Sequence, residues 1–81
     1  MRLSYAIYIL KCSDNTFYTG YTANVANRLK AHNNKQVHYT KSRLPVKLIN
    51  IIEFNDKQKA YDFERYLKTG SGIAFRNKHL I

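Results

Sequence analysis

The chain has 81 residues, a length that fits one domain over residues 1–81 and leaves no room for a second. Hydrophobic residues make up 44% of the chain, which is too large a share for a disordered protein. Fourteen Lys and Arg against five Asp and Glu give a net charge of +9. This excess predicts a polyanionic partner, nucleic acid before an anionic membrane surface, with a basic but inert protein as the alternative.

The first part of the chain predicts a β-hairpin. Residues 5–11 and 17–21 are rich in β-branched and aromatic residues, and the turn-forming sequence CSDNT separates them. The continuous apolar run YAIYIL indicates that the first strand is covered on both faces. Cys12 has no second cysteine with which to form a disulfide, and we expect it to be a small buried strand residue.

A helix and a loop are predicted next. Thr22 or Asn24 caps a helix over residues 23–34, whose spacing directs Val25 and Leu29 toward the core. The polar and basic sequence KQVHYTKSRLP, residues 35–45, predicts a loop.

The remaining residues predict a strand and two helices. Residues 46–54 form the strand, and Asn55 or Asp56 caps a helix over residues 57–68. The apolar stripe of that helix consists of Ala60, Phe63 and Leu67.

Gly70 and Ser71 predict a boundary between the last two helices. We expect Gly70 to end the preceding helix at its C′ position, and Ser71 to cap a last helix through about His79. The apolar anchors of this helix are Ile73, Phe75 and Leu80. The order β-β-α-β-α-α predicts an α+β domain in which helices flank a small three-stranded antiparallel sheet.

Nothing in the sequence indicates a membrane segment or an export signal. The longest apolar runs have only a few residues, and the first 15 residues lack a small-residue cleavage site. We expect a cytoplasmic protein that has no membrane partner.

Three polar residues could carry chemistry. Arg28 and His32 are four residues apart and therefore share one edge of the first predicted helix. Glu64 lies in the middle of a later helix and is one of only two glutamates. A solvated basic face and an ordinary salt bridge of Glu64 with Lys68 or its neighbours are the structural alternatives. A Mg²⁺ site is also possible, because this ion can use one carboxylate together with waters and a substrate phosphate.

The ordered series of motifs resembles the GIY-YIG nuclease superfamily, and most closely its small single-domain bacterial members. The two strand motifs stand here as Ala6-Ile7-Tyr8 and Tyr18-Thr19-Gly20. Residues 18–32 match the pattern YTG.T.....R...H, and residues 64–75 match E..LK.GSG.AF. Each motif alone is weak, but the series extends over nearly the whole chain and is specific.

The resemblance implies a GIY-YIG fold and a metal-dependent endonuclease-like activity on DNA. It implies that Tyr8 is the base or positions the nucleophile, and that Tyr18 holds the water or the phosphate. Arg28 then stabilises negative charge, and His32 assists proton transfer or contacts the phosphate. Glu64 binds one Mg²⁺ or Mn²⁺. A tyrosine is a poor base at neutral pH unless its pKa is lowered, for which Lys11 and Arg28 are candidates.

Two departures from the pattern qualify the resemblance. Ala6 replaces the first glycine, and Tyr21 stands where many of these nucleases have a lysine. Larger members also carry separate DNA-binding domains, so we expect recognition of DNA structure rather than of sequence, with a larger repair complex as a further partner. Six basic residues are assigned to nucleic-acid contact: Lys11, Lys35, Lys41, Arg43, Lys68 and Arg76.

The sequence therefore predicts an endonuclease-like domain with a role in DNA repair or recombination. The alternative is a non-catalytic basic module that binds nucleic acid or accompanies another protein. Interleaved cations and aromatic residues, such as Tyr39 in the loop, suit phosphate contact and base stacking in either case.

Overall fold

A computed structural model describes residues 5–81, so the first four residues of the predicted domain lie outside it. Three strands form one antiparallel sheet in the order β2-β1-β3. Their bounds are Tyr5–Lys11 for β1, Phe17–Thr22 for β2 and Lys47–Phe54 for β3. Four helices are present: α1 (Val25–Asn33), α2 (His38–Lys41), α3 (Lys57–Leu67) and α4 (Gly70–His79). The predicted α+β architecture is confirmed.

The central strand β1 is covered on both faces, as its apolar run predicts. Ala6 through Leu10 are all buried. Because side chains alternate along a strand, Ile7 and Tyr8 point to opposite layers. Ile7 packs against Ala60 and Leu67 of α3, whereas Tyr8 contacts α1. Burial of each of these large apolar side chains contributes roughly 1.5–3 kcal/mol, which matters in so small a domain. Cys12, which follows β1, is free and buried as expected.

Asn24, rather than Thr22, caps α1. Its side chain accepts a hydrogen bond from the Asn27 amide at 3.1 Å. Thr22 acts one step earlier, because its hydroxyl accepts from the Asn24 amide at 3.0 Å. Val25 and Leu29 are only half-buried, and His32 is the one residue that α1 buries completely. Arg28 and His32 share one side of α1 as predicted, because both reach Tyr8, but the complete burial of His32 was not expected.

Residues 35–45 are not all loop, because the short helix α2 lies within them. Val37 and Thr40 are buried despite the polar surroundings in sequence. The Ser13 amide also donates to the Arg43 carbonyl at 2.9 Å, which ties the end of this segment to the β1–β2 turn. These tertiary contacts order a stretch whose local composition favours a loop.

Asp56 caps α3, where the sequence left Asn55 as an alternative. Its carboxylate accepts from the amides of Gln58 and Lys59 at 2.8 and 3.3 Å. Ala60 and Leu67 of the predicted stripe are buried, and Phe63 is half-buried against Phe54.

The predicted boundary between the last two helices is wrong. Gly70 is the first residue of α4, not a C′ residue, and no glycine within residues 5–81 has a positive φ. Thr69, not Ser71, is the N-cap, since its hydroxyl accepts from the Gly72 amide at 3.1 Å. Gly72 is needed for close approach, because a Cβ there would overlap the Tyr66 carbonyl.

The apolar anchors of α4 are less buried than predicted. Ile73 and Phe75 are 39% and 37% exposed, whereas Leu80 packs on the core. In the portion that the structure describes, no helix is long and apolar enough to span a bilayer.

Candidate active site

The hairpin register places the two motif tyrosines side by side. Tyr8 is opposite Gly20, and Leu10 is opposite Tyr18. Residues directly opposite each other in antiparallel strands share a face, so Tyr8 and Tyr18 both lie on the face covered by α1. Their ring centroids are 6.1 Å apart. Gly20 leaves room for this arrangement, because a Cβ there would overlap the tip of the Tyr8 ring.

The helix α1 supplies two partners for the Tyr8 hydroxyl. The Arg28 Nε donates to it at 3.1 Å, and the His32 Nε2 lies 3.0 Å from it. One helical turn separates Arg28 from His32, which lets both reach the same oxygen. Two residues that are far from Tyr8 in the sequence, Arg28 and His32, therefore meet at the Tyr8 hydroxyl. Tyr8 is buried and only 1% exposed.

Burial governs the electrostatics of this group. It raises the pKa of Tyr8 to about 12, an effect that the Arg28 hydrogen bond reduces and the nearby Tyr18 increases. The expected depression of this pKa is therefore wrong: Arg28 acts in that direction, but burial outweighs it. Burial also lowers the pKa of His32, with a further contribution from the charge of Arg28, and favours a neutral imidazole at pH 7. The hydrogen bond to Tyr8 raises the pKa of Arg28.

The helix α2 completes the surroundings of His32, which no sequence motif predicts. The Thr40 Oγ1 lies 2.6 Å from His32 Nδ1, and both residues are fully buried. Tyr18 packs edge-on against His32 with ring centroids 5.0 Å apart, and Tyr39 packs on Tyr18 at 5.4 Å. The polar residues 35–45 predict a loop, so the sequence does not reveal the contact of Thr40 with His32. Only the tertiary fold brings these two residues together.

A cleft of about 320 Å³ opens beside Tyr18 at the edge strand β2. Residues of α2, α3 and α4 contribute to it, and β2 is an edge strand of the sheet within residues 5–81. The Arg76 guanidinium lies over the Phe17 ring at 5.3 Å, and Lys68 also lines the cleft. The cleft is lined by Phe17, Tyr18, Thr19, Tyr39, Leu67, Lys68, Ile73 and Arg76.

Glu64 lies on the other side of the sheet from Tyr8, on α3. Its carboxylate accepts from Lys68 Nζ at 3.0 Å, so the salt bridge considered from the sequence is present. Lys68, and not Glu64, is among the residues that line the cleft with Tyr18. Within residues 5–81, no group of three or more His, Cys, Asp or Glu could enclose a metal ion.

The six basic residues assigned to nucleic-acid contact occupy different settings. Lys68 and Arg76 line the cleft. Arg43 is engaged by other residues of the domain. Its Nε pairs with Asp14 at 3.0 Å, and its guanidinium lies over the Tyr39 ring at 4.2 Å. The remaining three, Lys11, Lys35 and Lys41, are exposed and do not line the cleft within the described chain.

The convergence of the two strand tyrosines with Arg28 and His32 of α1 defines the class. The family model for the GIY-YIG catalytic domain matches residues 4–75, and the chain belongs to the GIY-YIG family. Its function is accordingly nuclease-like.

Two of three similar proteins carry the UPF0213 name. The UPF0213 protein SAG0778 of Streptococcus agalactiae is 51% identical over 63 residues, covering 76% of this chain and 72% of its own length. The solution structure of the UPF0213 protein BH0048 from Bacillus halodurans has a TM-score of 0.60 and 32% identity, covering 94% of this chain and 84% of that one. The protein EF2693 of E. faecalis has a TM-score of 0.61 and 28% identity, covering 99% and 91%. These similarities extend the agreement in fold to nearly the entire chain.

Proposed function

We propose that this domain is a metal-dependent endonuclease that hydrolyses DNA phosphodiester bonds in the cytoplasm, in DNA repair or recombination. The observation that carries the proposal is the buried Tyr8 hydroxyl, which contacts both Arg28 and His32 behind Tyr18. A purely structural tyrosine needs one hydrogen-bond partner, whereas this one has a cation and an imidazole on the same oxygen.

These side chains divide the tasks of phosphodiester hydrolysis. Tyr18, which lines the cleft, contacts the attacking water or the phosphate. The water proton passes through the Tyr18 hydroxyl to the Tyr8 oxygen while the Tyr8 proton passes to His32 Nε2, so that neither group needs to ionise alone. Arg28 offsets the negative charge that develops on the phenol and the phosphate. The water oxygen bonds to phosphorus, the ester bond breaks, and the leaving oxygen takes up the proton that returns from His32 through Tyr8 and Tyr18.

Glu64 is the residue that holds Mg²⁺ or Mn²⁺ in this proposal. A single carboxylate fits an octahedral ion that keeps several waters and takes its other ligands from phosphate oxygens. Such an ion supplies Lewis-acid stabilisation of the phosphate charge. Its competition with Lys68 for the carboxylate implies weak binding before DNA arrives.

The cleft and the net charge of +9 support DNA as the partner. Lys68 and Arg76 are positioned to contact phosphates, and the exposed Lys11, Lys35 and Lys41 extend the attraction. The aromatic walls contact any base face without regard to its identity. The domain therefore recognises DNA by structure rather than by sequence, and a larger repair complex supplies any further selectivity.

The test is cleavage of plasmid and branched DNA in the presence of Mg²⁺ or Mn²⁺. Tyr8→Phe and Glu64→Gln are expected to lose cleavage while remaining folded. Tyr66→Phe, which changes a half-exposed tyrosine outside the cleft, is the matched control and retains activity. Equal nicking by all four proteins would identify a contaminating nuclease and remove the proposal.

The second candidate is a nucleic-acid-binding module without catalysis. The raised pKa and near-complete burial of Tyr8 favour it, because a phenol that ionises at about 12 is a weak base. It predicts salt-sensitive DNA binding without turnover. Gel-shift and cleavage measurements on one preparation separate the two functions, and absence of binding at low salt would contradict both.

A further inference from the structure

We propose that Thr40 is a positioning residue that sets the tautomer of His32. In this arrangement His32 Nδ1 donates its proton to the Thr40 hydroxyl, and Nε2 presents a lone pair to Tyr8. The inference deepens the proposed function, on which its catalytic consequence rests, but the tautomer itself can be tested without any cleavage assay.

The imidazole has no freedom to choose other partners. His32 is 0% exposed, and each ring nitrogen has one neighbour within hydrogen-bond distance: Tyr8 at 3.0 Å and Thr40 at 2.6 Å. A neutral imidazole has one N–H and one lone pair, so fixing the role of one nitrogen fixes the role of the other. A Thr40 hydroxyl whose own proton goes to another acceptor can only accept at Nδ1, and it thereby sets the tautomer.

The contact of Arg28 with Tyr8 is compatible with this tautomer. The Arg28 Nε is always a donor, and it donates to the Tyr8 oxygen at 3.1 Å. This contact uses one lone pair of the oxygen and leaves the Tyr8 proton free to point to His32 Nε2. The Nδ1 proton then goes to the Thr40 oxygen.

The proton of Thr40 has an acceptor of its own in this scheme. The Val37 carbonyl lies 3.5 Å from the Thr40 oxygen, one turn earlier in the same segment. With this orientation, each proton from Arg28 through Tyr8 and His32 to Thr40 meets an acceptor. In the opposite tautomer, Tyr8 would accept from both Arg28 and His32, and its own proton would have to turn toward Tyr18.

A long-range ¹H–¹⁵N spectrum of the ¹⁵N-labelled full chain at pH 8, where His32 is neutral, reads the tautomer directly. We expect the wild-type His32 signals of a protonated Nδ1 and an unprotonated Nε2. Thr40→Val has nearly the same shape but lacks the hydroxyl, and it should lose this preference. Thr40→Ser should restore it. Thr19→Val removes another buried threonine hydroxyl, one without a hydrogen-bond partner, and should leave the His32 signals unchanged.

The cleavage measurement adds the functional consequence. Thr40→Val is expected to lower kcat by roughly 10- to 100-fold with little change in KM, as is typical when the partner that orients a reacting group is lost. Thr40→Ser should recover most of the rate. If Thr40 only stabilised the fold, the loss of rate in Thr40→Val and its recovery in Thr40→Ser would not be accompanied by the same changes in the His32 tautomer signals.

Two results would overturn the inference. A wild-type spectrum with the proton on Nε2 would do so without any variant, even if Thr40→Val fails to fold. Retention of the Nδ1 proton in Thr40→Val would show that Thr40 does not set the tautomer. Wild-type protein with the expected tautomer but no cleavage would instead contradict the proposed function and leave the positioning role intact.

Discussion

Replacement of Gly20 by alanine tests whether the site depends on space beside Tyr8. The added Cβ would overlap Cζ and the hydroxyl of Tyr8, a residue that is 1% exposed. The ring cannot swing into solvent, and any shift would break its hydrogen bonds to Arg28 and His32. The new methyl group therefore strains the core or separates the phenol from its partners.

The expected loss in the free energy of unfolding follows from the cost of either overpacking the core or breaking these hydrogen bonds. Overpacking a well-filled core costs about 1–3 kcal/mol. Losing two hydrogen bonds worth about 0.5–1.5 kcal/mol each has a similar cost. Alanine also restricts the unfolded chain, which stabilises the protein by about 0.4–1 kcal/mol. We expect a net loss of about 1–2 kcal/mol in the free energy of unfolding. In a domain of this size, each kcal/mol lost lowers Tm by about 4–8 °C.

Gly70→Ala is the matched control for this experiment. Nothing lies within 4 Å of a Cβ at Gly70, and its φ is not positive. This variant should be more stable than wild type by about 0.4–1 kcal/mol, since only the unfolded chain is affected. Urea unfolding and thermal melting of both variants provide the comparison. A Gly20→Ala protein as stable as Gly70→Ala, with His32 signals unchanged, would refute the reasoning.

Four further outcomes are expected. Gly72→Ala should be destabilised more than Gly20→Ala in urea unfolding, because its Cβ meets the backbone of α3 rather than a side chain. Tyr8→Phe should lose about 1–3 kcal/mol of unfolding free energy, since the buried His32 Nε2 loses its partner; an unchanged midpoint would contradict that network. Stability should fall below about pH 6.5, where the unfolded chain protonates His32 before the folded one, and again between about pH 10 and 12, where unfolded Tyr8 ionises first; a flat pH profile of urea midpoints would disagree. Glu64→Gln should change stability by less than about 1 kcal/mol, because the pair with Lys68 is partly exposed; a larger loss by thermal melting would assign Glu64 a structural role.

Local pattern was sufficient to predict most of the secondary structure. The periods of the apolar residues located three strands and three helices, since strands and amphipathic helices bury side chains at fixed spacings. The predicted set of Tyr8, Tyr18, Arg28 and His32 does converge on one place. The order of these residues along the chain matched the resemblance, and the hairpin register and the helical spacing explain why they can meet.

The errors fall where two distant segments approach each other. The local sequence predicts a loop where α2 lies, because Val37 and Thr40 become buried only when α1 and the β1–β2 turn are in place. Gly70 and Ser71 looked like boundary residues, but the close approach of α4 to α3 gives those roles to Thr69 and Gly72.

The sequence by itself determined the three strands, three of the four helices of the described residues, their order, the strong positive charge and the candidate residues, because these follow from local spacing and composition. Only the tertiary structure decided that the Tyr8 hydroxyl is buried, that Thr40 contacts His32, and that Lys68 rather than Glu64 lines the cleft with Tyr18. The physical reason is that burial and hydrogen-bond partners depend on which segments pack together. Burial then raises the pKa of Tyr8, the reverse of what nearby cations alone would produce.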